Sequence, residues 1–311
     1  MGLPDPALGV MSMTHWITDA LLHDLQAKGT TACRVAVGRD FWIERFGSSA
    51  IISSRTENAN LVENLVSWAS EADWELKRIF LRRLVREPGQ LDVPMQIFGE
   101  PQASPREVVS ESGLLYEVDF SASYSPGLFP DQRANRNFLR ERRPLRVLNT
   151  FSYTCAFSVA AAHAGAETVS VDVSKSSLQR GRRNFELNSI ATTSHRFVPE
   201  DVPAYLRRLA KRGEKFDAVI LDPPTFGRAG PGKTFRVERD FGALLAVTRD
   251  VVTPGAAILL STNFSGWTTR HLIESAQELL PPETRFHIVP PPPDFLGETP
   301  SATVWALLPA P

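Results

Sequence analysis

The stretch Asp222-Pro223-Pro224-Thr225-Phe226, which follows the apolar run 216–221, combines residue types that can do chemistry. Two consecutive prolines stiffen the backbone, so the Asp222 carboxylate and a peptide carbonyl keep a fixed direction, while Phe226 can present a ring face to a planar base. Asp222, Pro223 and Phe226 are therefore the expected catalytic group; a simple proline-rich turn is the plainer alternative. Asp172 ends another apolar segment, about 20 residues after the turn Asn149-Thr150-Phe151-Ser152-Tyr153-Thr154-Cys155-Ala156, where nucleoside-binding folds place an acid that accepts from ribose hydroxyls. It could equally cap the helix that begins near Ser174. Glu200-Asp201 offers a carboxylate to an adenine amino group, or again a helix N-cap. The turn from Asn149 is small and hydroxyl-rich, so its backbone can approach a ligand. It lacks the glycine signature of dinucleotide binding and would also serve as an ordinary strand-to-helix turn.

These residues need a frame that gathers them. From residue 131 onward short apolar strands at 145–148, 168–171, 196–198, 216–221, 256–261, 286–289 and 304–308 alternate with helical stretches at 156–163, 176–188, 202–212, 240–251 and 268–280. Such alternation predicts a doubly wound, mostly parallel seven-stranded sheet, a Rossmann-like α/β domain over 124–311. Ligands of such sheets bind beyond the carboxyl ends of the strands, where the motifs above fall. The preceding part, 16–123, predicts a small α+β domain: a helix over 16–27, two strands within 33–52, a helix over 58–69 and strands at 74–85 and 108–120. A proline- and glycine-rich loop at 88–105 separates the last two. Residues 1–15 read as a flexible tail.

Composition bounds the rest. The chain has 311 residues, 42% hydrophobic and 22% charged, as ordinary globular proteins do. Its longest apolar runs, such as 256–260, fall far short of the ~20 residues of a membrane span, and no leader pattern is visible, so a cytoplasmic protein is expected. Two cysteines far apart, Cys33 and Cys155, exclude a disulfide framework. No His/Cys spacing suits zinc, and His163, His195, His271 and His287 read as surface or packing residues. The net charge of −1 offers no overall attraction to a polyanion, but basic residues cluster at 77–86 (Lys77, Arg78, Arg82, Arg83, Arg86) and 133–146 (Arg133, Arg136, Arg140, Arg142, Arg143, Arg146). They read either as solvated faces or, with Arg228, Lys233, Arg236 and Arg239, as phosphate contacts.

Several blocks together resemble the class I S-adenosylmethionine-dependent methyltransferases of large-subunit ribosomal RNA that modify guanine nitrogen-7 or cytosine carbon-5. They are Gly127-Leu128-Phe129-Pro130-Asp131-Gln132-Arg133, Leu148 through Thr154, Val171-Asp172-Val173-Ser174, Asn184-Phe185-Glu186-Leu187-Asn188, and Asp222 through Phe226. The resemblance covers about residues 107–311 and implies S-adenosylmethionine as cofactor and ribosomal RNA as substrate. It places Asp172 and Val173 on the ribose and Asp201 on the adenine. Asn149, Phe151, Ser152, Tyr153 and Thr154 would hold the methionine portion, helped by Asp131 and Arg133, while Asp222 and Phe226 line the target pocket, with Asp222 also beside the cofactor.

The sequence departs from the family in three places. Cys155 and Ala156 stand where the family often has a glycine. The small β-domain that the family carries at the N-terminus to bind RNA has no counterpart before Trp16, so substrate delivery is expected to differ. Leu260-Ser261-Thr262-Asn263-Phe264 lacks the nucleophilic cysteine that carbon-5 enzymes place there. Carbon-5 needs a transient thiolate adduct, whereas a nitrogen already has a lone pair and needs mainly positioning. Guanine nitrogen-7 is therefore favoured. Competing readings are a small-molecule or protein methyltransferase, which a closed uncharged pocket would favour, and a non-catalytic RNA-binding assembly protein, which failure to bind the cofactor would single out.

Overall fold

The computed structural model describes residues 14–56, 60–85, 93–101, 104–228, 234–298 and 300–310, with the side chains of 226–228 and 234 also outside the description. The described residues up to 109, with 118–126, form one compact unit; 110–117 and 127 onward form a second. The expected single cut at 123/124 did not separate out the 110–117 stretch.

The first unit contains β1 (His15–Trp16), α1 (Asp19–Ala27), β2 (Ala32–Gly38), β3 (Phe41–Phe46), β4 (Ser49–Ser54), α2 (Asn60–Glu71), β5 (Arg78–Arg83) and β6 (Met95–Phe98). These strands form a six-stranded sheet in chain order. All neighbours are antiparallel except β4 and β5, which α2 links as a crossover. Four expectations change. The helix starts later than residue 16, because the Thr18 hydroxyl accepts from Leu21 N at its N-cap, and His15 and Trp16 pair with β2 instead. The segment 33–52 holds three strands, a second turn at Arg39-Asp40 having escaped notice. β6 lies inside the stretch read as a loop. The expected strand 108–120 is a hairpin, β7 (Arg106–Glu111) and β8 (Leu114–Asp119), turning at Ser112-Gly113 with φ of 50° and 78°.

Two residues of the basic cluster at 77–86 are internal to this unit. Arg78 and Arg82, two positions from Phe80 on either side, are buried, and their Nη2 atoms reach Glu107 at 3.2 Å and Glu44 at 3.0 Å. Neither is a solvated cation. Lys77 pairs with Glu75, Arg83 is exposed and Arg86 lies outside the described residues.

The second unit runs α3 (Arg133–Arg142), β9 (Arg146–Thr150), α4 (Ala156–His163), β10 (Glu167–Val171), α5 (Lys175–Leu187), β11 (Arg196–Val198), α6 (Val202–Lys211), β12 (Phe216–Leu221), β13 (Phe226–Arg228), β14 (Thr234–Arg236), α7 (Val237–Arg249), β15 (Val252–Thr262), α8 (Thr269–Gln277), β16 (Arg285–His287) and β17 (Ala302–Leu307). The sheet order is β11-β10-β9-β12-β15-β17-β16. β17 alone runs against its neighbours. This is the Rossmann-like α/β architecture expected. Its strands read as continuous apolar runs because both faces are covered. Leu148, Val219, Leu221, Ile258 and Leu260 pack with α6 and α7 on one face. Their neighbours Val147, Ala218, Ile220 and Leu259 pack with Leu139 of α3 and Phe157 of α4 on the other. β9 is the switch point: the chain winds outward from it to β10 and β11, then returns to its other side with β12.

The run 133–146, read as a basic stretch, is mostly α3. Arg133 and Arg136 are buried, and Arg140 donates to Ser112 O at 3.0 Å. The phosphate-contact and solvated-face readings therefore fail for Arg133 and Arg136, whose charges are spent on internal carboxylates described below.

Candidate active site

Residues at or just past the carboxyl ends of β9, β10, β11 and β12 open onto one cavity of about 360 Å³, inside the ~300–1,000 Å³ range of small-molecule sites. Asp131, Asn149, Phe151, Ser152, Tyr153, Thr154, Asp172, Val173, Asp201, Asp222 and Pro223 all line it. Two expected residues do not join them. Arg133 is turned away into a buried ion pair with Asp294, on the 3-10 turn Pro293–Phe295. The side chain of Phe226, at the start of β13, lies outside the described residues, as do the side chain of Arg228 and the whole of Lys233.

The turn between β9 and α4 owes its shape to alternate residues. Phe151, Tyr153 and Cys155 take φ of 50°, 46° and 62°, a conformation that costs a residue with a Cβ on the order of 1 kcal/mol or more. The turn is held by tertiary contacts that over-determine it. Ser152 N donates to Val171 O at 3.0 Å and Tyr153 N to Asp172 Oδ2 at 2.9 Å. The Thr154 hydroxyl donates to Gly127 O, and Thr154 O accepts from Asn184 Nδ2 at 2.9 Å. Cys155 sits at the left-handed position that glycine would fill without strain, which gives the departure at this residue a physical meaning. Behind it Gly181 of α5 packs so closely that a Cβ there would collide with the Cys155 sulfur.

Asp172 and Asp201 resolve differently. The N-cap of α5 is Ser174, whose hydroxyl accepts from Ser177 N at 3.2 Å, so Asp172 is not the cap. Its two oxygens each accept one backbone N–H, from Tyr153 at 2.9 Å and Ser174 at 2.8 Å, which leaves one acceptor direction on each. Burial raises its pKa, and these two backbone hydrogen bonds oppose the rise. Asp201 does cap its helix: its Oδ2 accepts from Ala204 N at 3.1 Å. The capping alternative is thus realised there, and the residue also lines the cavity.

Asp222 stands at the end of β12. The residue is half-buried and lines the cavity, and desolvation by its surroundings pushes its pKa up to about 6. The neighbouring Ser261 side chain lowers it in part, the Asp131 carboxylate raises it further and Arg136 lowers it. Asp131 in turn accepts from Ser301 Oγ at 2.9 Å.

Among the lining residues that did not stand out in the sequence as site residues, four carry polar or aromatic contacts at the cavity. Arg136 is 2% exposed and donates from Nε and Nη2 to the two oxygens of Glu111, each at 2.7 Å, and also to Phe129 O at 2.8 Å. Burial alone would lower its pKa; Glu111 outweighs that and keeps the guanidinium charged at the cavity wall. Phe235 of β14 stacks at a tilt on Phe151, with ring centroids 5.8 Å apart. Asn263, just past β15, accepts from the Thr225 hydroxyl at 2.5 Å and so ties the end of β15 to the proline loop. Gln132 belongs to a buried hydrogen-bond chain. Asn184 and Asn188, already in a recognised block, prove to be braces: their Oδ1 atoms accept from Glu117 N at 2.8 Å and Leu115 N at 2.9 Å, holding the edge of β8.

Among the described residues no cluster of metal-ligating side chains occurs, and no helix is long and apolar enough to cross a membrane.

Comparison with known proteins agrees with this geometry. The chain is 36% identical over 182 residues to ribosomal RNA large subunit methyltransferase I of Tolumonas auensis, covering 57% of this chain and 45% of that one. It is 37% identical over 163 residues to ribosomal RNA large subunit methyltransferase K/L of Psychrobacter sp., covering 51% and 20%. The chain thus spans half or less of the length of these curated relatives. The fold is shared with SMU.776, solved in complex with SAH, at a TM-score of 0.78 and 24% identity over 93% of this chain and 78% of that one. It is also shared with the SAM-dependent methyltransferase from Agrobacterium tumefaciens, at 0.72 and 20% identity over 91% of each. Residues 78–309 match a family described as S-adenosylmethionine-dependent methyltransferase. With that match over most of its length and a cavity at the switch point of its sheet, the chain belongs to the S-adenosylmethionine-dependent methyltransferase family.

Proposed function

We propose that the protein methylates a base nitrogen of RNA, with large-subunit ribosomal RNA as substrate and guanine nitrogen-7 favoured over cytosine carbon-5. The observation that carries this reading is that Asp172 and Asp222, at the ends of β10 and β12, open onto the same cavity. One can anchor a nucleoside-bearing cofactor while the other meets the group to be methylated. The cavity fits S-adenosylmethionine: Asp172 keeps an acceptor direction on each oxygen for ribose hydroxyls, Asp201 keeps a free oxygen for the adenine amino group, and the 149–154 turn with Asp131 lies where the methionine portion would rest. Bound there, the cofactor supplies an electrophilic methyl group on a sulfonium.

The chain's own residues then orient the acceptor. Asp222 accepts a hydrogen bond from a base N–H, and Pro223 and Pro224 hold its direction. A covalent adduct to cytosine is disfavoured by the thiols present. Cys155 is fully buried, burial pushes its thiol up to about 12, and it does not line the cavity. Asn263 lines the cavity in the segment where carbon-5 enzymes carry cysteine. A nitrogen needs no such adduct. The names of the relatives support ribosomal RNA as the substrate class.

The test is to incubate the protein with methyl-labelled S-adenosylmethionine and bacterial large-subunit ribosomal RNA and to analyse the nucleosides. Label in a nitrogen-methylated guanosine, absent with Asp172→Ala and Asp222→Asn, is expected. Label in 5-methylcytidine would overturn the nitrogen assignment, and failure to label RNA while cofactor binds would overturn the substrate class.

A further inference from the structure

A line of four buried side chains runs through the core of the second unit and ends on Asp222. Trp305 Nε1 on β17 donates to Asn135 Oδ1 at 2.9 Å, and Asn135 Nδ2 on α3 donates to Gln132 Oε1 at 2.9 Å. Gln132 Nε2 donates to Ser261 Oγ of β15 at 3.2 Å. Ser261 stands beside Asp222, since Leu260 and Leu221 pair in the adjacent parallel strands β15 and β12 and the two polar residues directly follow them, and the serine side chain acts on the carboxyl. All four residues are buried.

The chemistry of the first residue sets the polarity of the rest. An indole has one N–H and no acceptor, so the Asn135 atom facing it must be the carbonyl oxygen. The Asn135 amide nitrogen then faces Gln132, which must offer its own oxygen, so the Gln132 amide nitrogen faces Ser261. The Ser261 oxygen thereby accepts from Gln132, which leaves its own proton available to the neighbouring Asp222. Reversing any amide would set N–H against N–H in a dry core, at a cost of about 1–3 kcal/mol for each group left unsatisfied.

We propose that Trp305, Asn135 and Gln132 are positioning residues that act through Ser261 to hold Asp222 as an ionised, oriented hydrogen-bond acceptor at the methyl-transfer site. The functional part rests on the role given to Asp222 above; the physical part does not. Four connected polar side chains are an expensive way to fill a core that apolar residues would fill as well, and the line ends on a carboxylate that opens onto the cavity. The other charged groups acting on Asp222 are Asp131 and Arg136. Arg136 is engaged by Glu111 and Phe129 O, which leaves the aim of Asp222 to the serine.

The test reads the carboxyl directly and needs no substrate. In protein labelled with carbon-13 at aspartate carboxyls, the Asp222 resonance, assigned by its loss in Asp222→Asn, is titrated. The wild-type midpoint is expected at about 6. Ser261→Ala should raise it by about one unit, the equivalent of one hydrogen bond to a charged group. Gln132→Met should raise it by about half a unit, and in the Ser261→Ala background it should add nothing, because its route is gone. An unchanged midpoint in Gln132→Met, or a shift that adds in full to that of Ser261→Ala, would overturn the proposal. Should Gln132→Met fail to fold, Trp305→Phe, which removes the N–H and keeps an aromatic ring, is read by the same two outcomes. Loss of methyl transfer to RNA in every assay would sink the functional reading and leave the titration result standing.

Discussion

Asp222→Asn should make the protein more stable while removing its activity, and the gain should grow with pH. The Asp222 carboxyl titrates near 6 in the folded chain instead of its ordinary 3.8, chiefly because burial disfavours the charge. Between these values the folded protein keeps a proton that the unfolded chain has released, so stability falls as pH rises through the window. Above it the full penalty applies. A gap of roughly two units corresponds to about 3 kcal/mol at pH 8, of which about 1 kcal/mol is already present at pH 4.5. Asparagine cannot ionise, is nearly the same size, and can still accept from Ser261. For a unit of this size about 3 kcal/mol is worth roughly 6–12 °C in melting temperature. Thermal melts of wild type and variant at pH 4.5 and pH 8, without cofactor, are therefore expected to differ little at the lower pH and by many degrees at the higher. A pH-independent difference, or a variant that melts lower at pH 8, would refute the argument that a buried charge is maintained at the cavity. A gain in stability with loss of methyl transfer would mark Asp222 as a residue kept for function at a cost to the fold.

Arg136→Met should destabilise the second unit by about 3–5 kcal/mol, because it leaves Glu111 buried without its partner, while the double variant with Glu111→Leu should recover most of that loss; urea denaturation of the three proteins checks it. Gly181→Ala should cost about 1–3 kcal/mol through the collision with the Cys155 sulfur, and Cys155→Gly should relieve it while also removing a strained residue, as a double-mutant cycle of melting curves would show.

The second unit was readable for a local reason. Strands of a parallel sheet are buried on both faces, so 216–221 and 256–261 appear as uninterrupted apolar runs, and a helix such as 202–211 announces itself by spacing. The cavity-lining motifs around 149–154, 172, 201 and 222 were readable for the same reason, since they stand at or shortly after the ends of strands. The first unit was read less well. Its short strands are joined by tight turns that carry weak signals, which hid the turn at Arg39-Asp40 and the strand Met95–Phe98.

Local sequence, then, determined which segments are strands and helices and which acids stand at the ends of strands, because both depend on residues within one element. It could not decide what each polar side chain faces. Asp172 and Asp201 look alike in sequence, yet one braces a turn and a loop while the other caps a helix. Arg136 reads as one cation in a basic run until Glu111 is brought against it, and Arg133 until Asp294, 161 residues away, does the same. Gln132 and Ser261 are 129 residues apart and meet only when α3 packs across the sheet. Burial turns each of these groups into an obligation for a partner, and the partner comes from another part of the chain, so only the tertiary structure could name it.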